Sequence, residues 1–386
     1  MKNPFIFGKV VRGEHFINRE TEVAELTQTL YAGQNVICYS PRRYGKTSIM
    51  MRVKDNLEAR GHLVFFIDLF RVTSLDDLYA LYATSIAKAV RSPIKALIQT
   101  VQNILPTINP KIVFKSPESA SVEISVPLPV LSKTETLHEL FNSLEKYCGK
   151  KKKKGTVIFD EFQEVISLQD GTIIEREMRS AFQHHTGVSY AFLGSKHHLL
   201  KGIFQDKNRP FYNFGRHFDI DVIDGAHWRA FIAKHMGRMC SASTIEEIIR
   251  KTDNHPYYTQ MYCHYLWEYS REHDRTIDGP ILNAVMKGII ERDTVLLSEL
   301  WDKVTIKERH FLKAIAFEQT GSVYEKKFLM NHNLGTASSV QKAVNKLIEL
   351  DYIRKHASGK ISFVNPLLKQ WILCTDSNSK DLFEDR

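Results

Sequence analysis

The segment Ser40-Pro41-Arg42-Arg43-Tyr44-Gly45-Lys46-Thr47-Ser48 constrains this chain more than any other. It follows Val36-Ile37-Cys38-Tyr39, a short apolar run bounded by turn formers that reads as a buried strand. A helix is expected after it, from Lys46 to about Arg60. A strand, a loop ending in Gly-Lys-Thr and a helix together make a phosphate cradle. Backbone N–H groups line the loop, and the helix adds its positive end. In that reading Gly45 lets the backbone approach closely, Lys46 reaches the β- and γ-phosphates, and the Thr47 hydroxyl ligates Mg²⁺. The whole segment Ser40, Pro41, Arg42, Arg43, Tyr44, Gly45, Lys46, Thr47 and Ser48 is therefore a candidate binding loop for ATP with Mg²⁺. The first position of such loops is usually glycine; here it is Ser40, which spares the Gly-Lys-Thr core. Arg42 and Arg43 either neutralise phosphate charge or face solvent.

Further short apolar runs occur at Leu63–Asp68, Val157–Phe159 and Tyr190–Leu193, with helical spacing between them. Strands alternating with helices predict an α/β fold, a parallel sheet with helices on both faces. Such sheets bind ligands at the carboxyl ends of their strands. Asp160-Glu161 follows one apolar run directly. Asp160 is placed to hold the Mg²⁺ shell with Thr47, and Glu161 to polarise an attacking water. Apolar-Asp-Glu is a weak motif alone, and the loop at 40–48 is what strengthens it. Ser195, after another strand, is a candidate for contact with the γ-phosphate or the water, against a plain strand-ending turn. Arg216 is a candidate γ-phosphate sensor in cis or in trans, against a surface salt bridge.

Three regions follow from the patterning. Residues 1–223 form the α/β core, with a β-hairpin insertion expected near 111–128. Residues 224–300 are all helical, and 301–386 run as three helices and a two-stranded ribbon, the order of a winged helix. No run of about 18 apolar residues is present, so no membrane span is expected. The N-terminus lacks a secretory pattern, and the five scattered cysteines form no C-x-x-C pair; a cytoplasmic protein with reduced thiols is expected. The net charge of +9 raises the prior for a polyanionic partner. The lysine run 150–154 reads as a solvated turn, against a phosphate-tracking role. The pairs His184-His185 and His197-His198 read as ordinary histidines, since neighbours on a helix diverge by about 100° and cannot chelate together.

Several of these elements occur in a particular order: Phe16-Ile17-Asn18-Arg19-Glu20, the loop 41–48, Asp160-Glu161, Gly194-Ser195-Lys196, Arg209-Pro210-Phe211-Tyr212 and Asn254-His255-Pro256-Tyr257-Tyr258-Thr259-Gln260. Together they resemble the archaeal-type ATPase family, in the STAND branch of AAA+-related P-loop proteins, over about residues 4–270. The tail from 305 resembles the winged helix that often follows. The resemblance implies a P-loop NTPase sheet, a helical lid and a winged-helix domain. It implies adenine packing by Ile17, Asn18 and Arg19, and it makes Pro256 a candidate at the nucleotide, in a turn where Asn254 stands for the family's glycine. It also implies a slow, nucleotide-dependent switch rather than a fast metabolic enzyme.

The leading expectation is an ATP-hydrolysing switch acting through residues 337–363, with double-stranded DNA and a protein partner both open and a homo-oligomer open as well. Ser338, Ser339, Gln341, Lys342, Asn345 and Lys346 on one helix, and Arg354, Lys355 and Lys360 in the ribbon, are the DNA candidates. The alternative is a nucleotide-binding regulatory scaffold with negligible turnover, against which Glu161 speaks. A kinase is disfavoured, since no acceptor motif is evident.

Overall fold

The computed structural model describes residues 2–11, 13–90, 113–116, 119–121, 133–318, 322–356 and 359–381. Its contacts divide the chain into two units. One comprises Arg19–Arg42 and Lys46–Asp221; the other comprises Met1–Asn18, Arg43–Gly45 and Val222–Arg386.

The first unit runs α1 (Glu20–Tyr31), β1 (Val36–Tyr39), α2 (Lys46–Ala59), β2 (Leu63–Asp68), α3 (Leu75–Val90), β3 (Val113–Ser116), β4 (Ser119–Ser121), α4 (Lys133–Lys151), β5 (Gly155–Asp160), α5 (Gly171–Phe182), β6 (Val188–Gly194), α6 (His197–Gln205) and β7 (Arg216–Asp219). Among the described residues its main sheet has five strands in the order β2-β5-β6-β1-β7, every pairing parallel. β1, β5 and β6 are buried along their whole length, which is why they read as unbroken apolar runs. Phe159, Phe182, Tyr190 and Phe192 stack beside β5 and β6, and Phe162, Phe204 and Phe211 continue the cluster. β3 and β4 pair antiparallel, as expected of the hairpin; the rest of that expectation lies outside the described residues. Lys150–Lys154 are exposed where α4 ends, at Lys152 with φ +52°.

The second unit contains α7 (Gly225–Met236), α8 (Ala242–Lys251), α9 (Pro256–His273), α10 (Gly279–Asp302), α11 (Ile306–Phe317), α12 (Lys326–Asn331), α13 (Ala337–Glu349), β8 (Ile353–Lys355), β9 (Ile361–Phe363) and α14 (Pro366–Asp381). Side-chain caps set many of these starts. Asp224, Ser241 and Asp278 accept from backbone N–H groups of the helices they precede, and Thr305 with Glu308 forms a capping box. Thr336 caps α13, as its sequence position predicts. β8 and β9 pair antiparallel, with Arg354 opposite Ser362. Val340, Val344 and Leu347 turn one face of α13 into the core. No described helix is long and apolar enough to cross a membrane.

Candidate nucleotide site

Lys46, Asp160 and Glu161 of the first unit meet at the carboxyl ends of the strands. Parallel register brings Tyr39 beside Gly194, so the residues that follow β1 and β6 share one edge of the sheet. The Thr47 hydroxyl donates to Asp160 Oδ2 at 3.0 Å. Lys46 Nζ lies 3.0 Å from Glu161 Oε1 and 3.6 Å from Asp160 Oδ1. Ser195 donates to Glu161 Oε2 through its backbone N–H at 3.2 Å and its hydroxyl at 2.6 Å. Lys46, Thr47, Asp160, Glu161 and Ser195 are thus brought together, with Ser195 bonded to the glutamate.

Burial and charge compete in this cluster. Burial raises the Asp160 carboxyl above its usual range, and Lys46 and the Thr47 hydroxyl oppose it. Burial acts the same way on Glu161, but Lys46 and the hydrogen bonds from Ser195 and Gln163 outweigh it and hold that carboxyl down at about 2. Burial also pushes the Cys38 thiol, at the floor of the loop, up to about 12, so it stays protonated. Glu161 takes the left-handed conformation, φ +52° and ψ +47°. Such backbone is costly for a residue with a side chain and is held here by surrounding bonds.

Within the loop, Gly45 has φ +89° and Arg43 φ +68°. Gly45 has open space where a Cβ would stand, so the backbone angle is what requires glycine. Ser40 lies outside the left-handed region, which explains why a side chain replaces the usual glycine there. It is fully buried, with its N–H directed at the Gly194 carbonyl. Pro41 is buried and Arg42 is exposed; Thr47 and Ser48 are partly buried.

The tip Arg43–Gly45 belongs by its contacts to the second unit. Arg43 donates to the Tyr258 hydroxyl and lies 4.5 Å from the Tyr257 ring centroid. Tyr44 meets the His255 ring edge-on at 4.5 Å. His255 Nδ1 accepts from Tyr257 N–H, so its proton sits on Nε2, which has no hydrogen-bond partner among the described residues. Burial first, then Arg43, lowers the His255 pKa to about 3. Pro256 occupies the first turn of α9, and it is its neighbours His255 and Tyr258 that meet the loop tip. Asn254 has φ +60°, so it takes the left-handed turn that the sequence expects of it.

Arg354 departs from expectation. It is buried, not exposed for phosphate, and its guanidinium lies 5.3 Å from the Tyr44 ring centroid. Lys355 and Lys360 of the same ribbon are exposed, as are Ser338, Gln341, Lys342, Asn345 and Lys346 on α13; Ser339 is half-buried.

Ile17 is buried in the second unit's core, and Asn18 has φ +31°. Arg19, buried, pairs with Glu22 at 2.7 Å and donates to the Asp221 carbonyl, which occupies its guanidinium. Arg216 pairs in register with Val36, at the start of β1, and forms an ion pair with Glu25. At about 3.3 Å per residue the loop begins roughly 13 Å away. This placement argues against γ-phosphate sensing by Arg216 within its own chain. Arg209 holds the buried Glu175 at 2.7 Å, a structural use of the Arg-Pro-Phe-Tyr motif. His185 is bonded to Tyr190 and Asn142.

Residues 16–262 match the family described as an ATPase domain predominantly from Archaea. The chain belongs to that family. Residues 296–373 of this archaeal-type ATPase match a probable winged helix domain. In fold the ATPase is similar to the Walker-type ATPase PABY2304 of Pyrococcus abyssi, at 18% identity and TM-score 0.64, over 96% of this chain and 99% of that one. It is also similar to the ORC2 protein of Aeropyrum pernix, solved as ADPNP–ADP complexes, at 13% identity and TM-score 0.52, over 95% and 98%. No curated protein matches the sequence.

The donor set of the ATPase fits a nucleotide with Mg²⁺. Thr47 and Asp160 offer a hydroxyl and a carboxylate, hard oxygen donors already at hydrogen-bond distance from each other. Among the described residues no three His, Cys, Asp or Glu side chains gather as a metal cage. Mg²⁺ needs none, since it is commonly held by one or two carboxylates, phosphates and water. Gln163 is a site residue the sequence reading missed. Gln163 lies two residues past Glu161, and only the fold brings Gly194 against it.

Proposed function

We propose that the chain is an ATP-binding and ATP-hydrolysing molecular switch whose nucleotide state governs the engagement of its winged helix. The observation that carries this reading is the convergence of Lys46, Thr47, Asp160 and Glu161 on one sheet edge. Bound ATP supplies the transferable phosphoryl group, and Mg²⁺ the charge that stabilises its transfer. Lys46 would turn from Glu161 to the β- and γ-phosphates, and Thr47 and Asp160 would hold the metal. Glu161, ionised at physiological pH, would accept a proton from water. Double-stranded DNA is the partner class favoured by the exposed polar face of α13, the exposed Lys355 and Lys360, and the net charge of +9.

A second reading, a scaffold with negligible turnover, draws on one observation. Both oxygens of Glu161 are engaged by protein donors here. Steady-state ATPase rates with and without duplex DNA, together with ATP affinity, separate the two. Turnover that rises with DNA supports the switch. Tight ATP binding with no turnover in either condition would leave the scaffold.

A further inference from the structure

Gln163 is buried beside the acid, with 1% exposure, and its amide makes a choice a space-filling residue need not make. Nε2 donates to Glu161 Oε2 at 2.6 Å and reaches Glu164 Oε1 at 3.3 Å. An amide oxygen facing those carboxylates would be repelled, so the orientation is fixed by its neighbours. The opposite atom, Oε1, is buried with no hydrogen-bond partner among the described residues. Leaving a buried carbonyl unsatisfied is unfavourable, and a methionine would fill the same space without that penalty. The neighbouring strand also makes room for the amide. A Cβ on Gly194 would lie 2.4 Å from Gln163 Oε1.

The two oxygens of Glu161 are held unequally. Oε2 receives three donors, Ser195 N–H, Ser195 hydroxyl and Gln163 Nε2, all from the end of β6 and the turn after β5. Among the described residues Oε1 receives Lys46 alone. Lys46 is also the group suited to phosphate, so it is Oε1 whose partner has somewhere else to go. We propose that Gln163 is a positioning residue. Together with Ser195 it tethers Glu161 through Oε2 and leaves Oε1 as the oxygen that accepts the proton of the attacking water. This rests on the ATP-hydrolysing reading above.

The test is a double-mutant cycle with Gln163→Met, which keeps side-chain length and removes the amide. kcat, KM and fluorescent-ATP affinity are measured for Gln163→Met in the wild-type and Glu161→Gln backgrounds. The expected result is a kcat loss of about tenfold in the wild-type background, with KM and affinity changed less than about twofold. In the Glu161→Gln background the same substitution should cost nothing further. Gly194→Ala, which crowds the amide, should reproduce the kcat loss with ATP affinity retained. An equal kcat loss in both backgrounds, an affinity loss that tracks kcat, or an unaffected kcat would each overturn the tether. A wild-type protein without any turnover would instead sink the ATPase reading itself.

Discussion

Lys46 and Glu161 form an ion pair of 3.0 Å between the loop and the strand end that the sequence marks as phosphate binder and acid. The basic group is mostly buried, with the glutamate and Asp160 as its counter-charges. Its removal therefore strips the cradle of its charged donor and leaves the buried Asp160 and the half-buried Glu161 carboxylates beside the phosphates. Lys46→Ala should weaken ATP affinity at least tenfold, on the order of a lost charge-assisted contact. Fluorescent-ATP titration measures it, and unchanged affinity with unchanged turnover would remove the loop from the mechanism.

Glu161→Gln separates binding from chemistry. Thr47 and Asp160 remain, so ATP affinity should persist. Hydrolysis should fall at least about tenfold for loss of a positioned base. A variant turning over at the wild-type rate would assign the water to another residue.

His255 predicts a pH signature in stability. Its pKa is about 3 in the fold against an ordinary 6.5, because burial and Arg43 disfavour the charged ring. The unfolded chain therefore binds the proton first, and the contribution of neutral His255 is complete above about pH 6.5 and is lost as pH falls toward 3. His255→Asn keeps a capping acceptor and removes the titration. Urea unfolding between pH 7.5 and 5 should show a wild-type stability loss that is smaller in the variant, by at most about 1.4 kcal/mol per pH unit below 6.5. Identical slopes for the two proteins would mean that His255 is solvated.

The winged helix should divide its basic residues into two classes. Lys342→Ala with Lys360→Ala, both exposed, should flatten the log-affinity versus log-salt slope for duplex DNA by about two units, one per phosphate contact. Arg354→Ala should leave that slope alone and lower unfolding stability, since its guanidinium covers Tyr44. DNA titrations at several salt concentrations check both. Absence of salt-dependent binding by the wild type would turn the reading to a protein partner.

The loop 40–48, Asp160-Glu161 and Ser195 were legible in sequence because their chemistry sits at the ends of strands that announce themselves by apolar runs. β7 was not, because Arg216, His217 and Asp219 make it a polar edge with no such run. α14 went unread although Asn365-Pro366, directly after the ribbon, marks a helix start, with Asn365 Oδ1 accepting from the Leu367 N–H. Arg354 looked like a phosphate ligand because charge in a two-stranded ribbon looks alike whether it faces solvent or a tyrosine ring; packing alone decides. Gln163 was hidden for a related reason. Its role depends on Gly194, thirty-one positions away in sequence and adjacent only across paired strands.

The composition of β7 has a consequence for self-association. Among the described residues it occupies a margin of the sheet order, with one row of backbone groups not paired to another strand of that sheet. Its side chains there are Arg216, His217, Phe218 and Asp219, and all but Phe218 are exposed. Charges at a sheet margin discourage a second copy from docking strand to strand and so guard against fibre-like stacking. At this margin, an assembly of the ATPase would therefore have to be built from helices or loops rather than by adding a strand to β7.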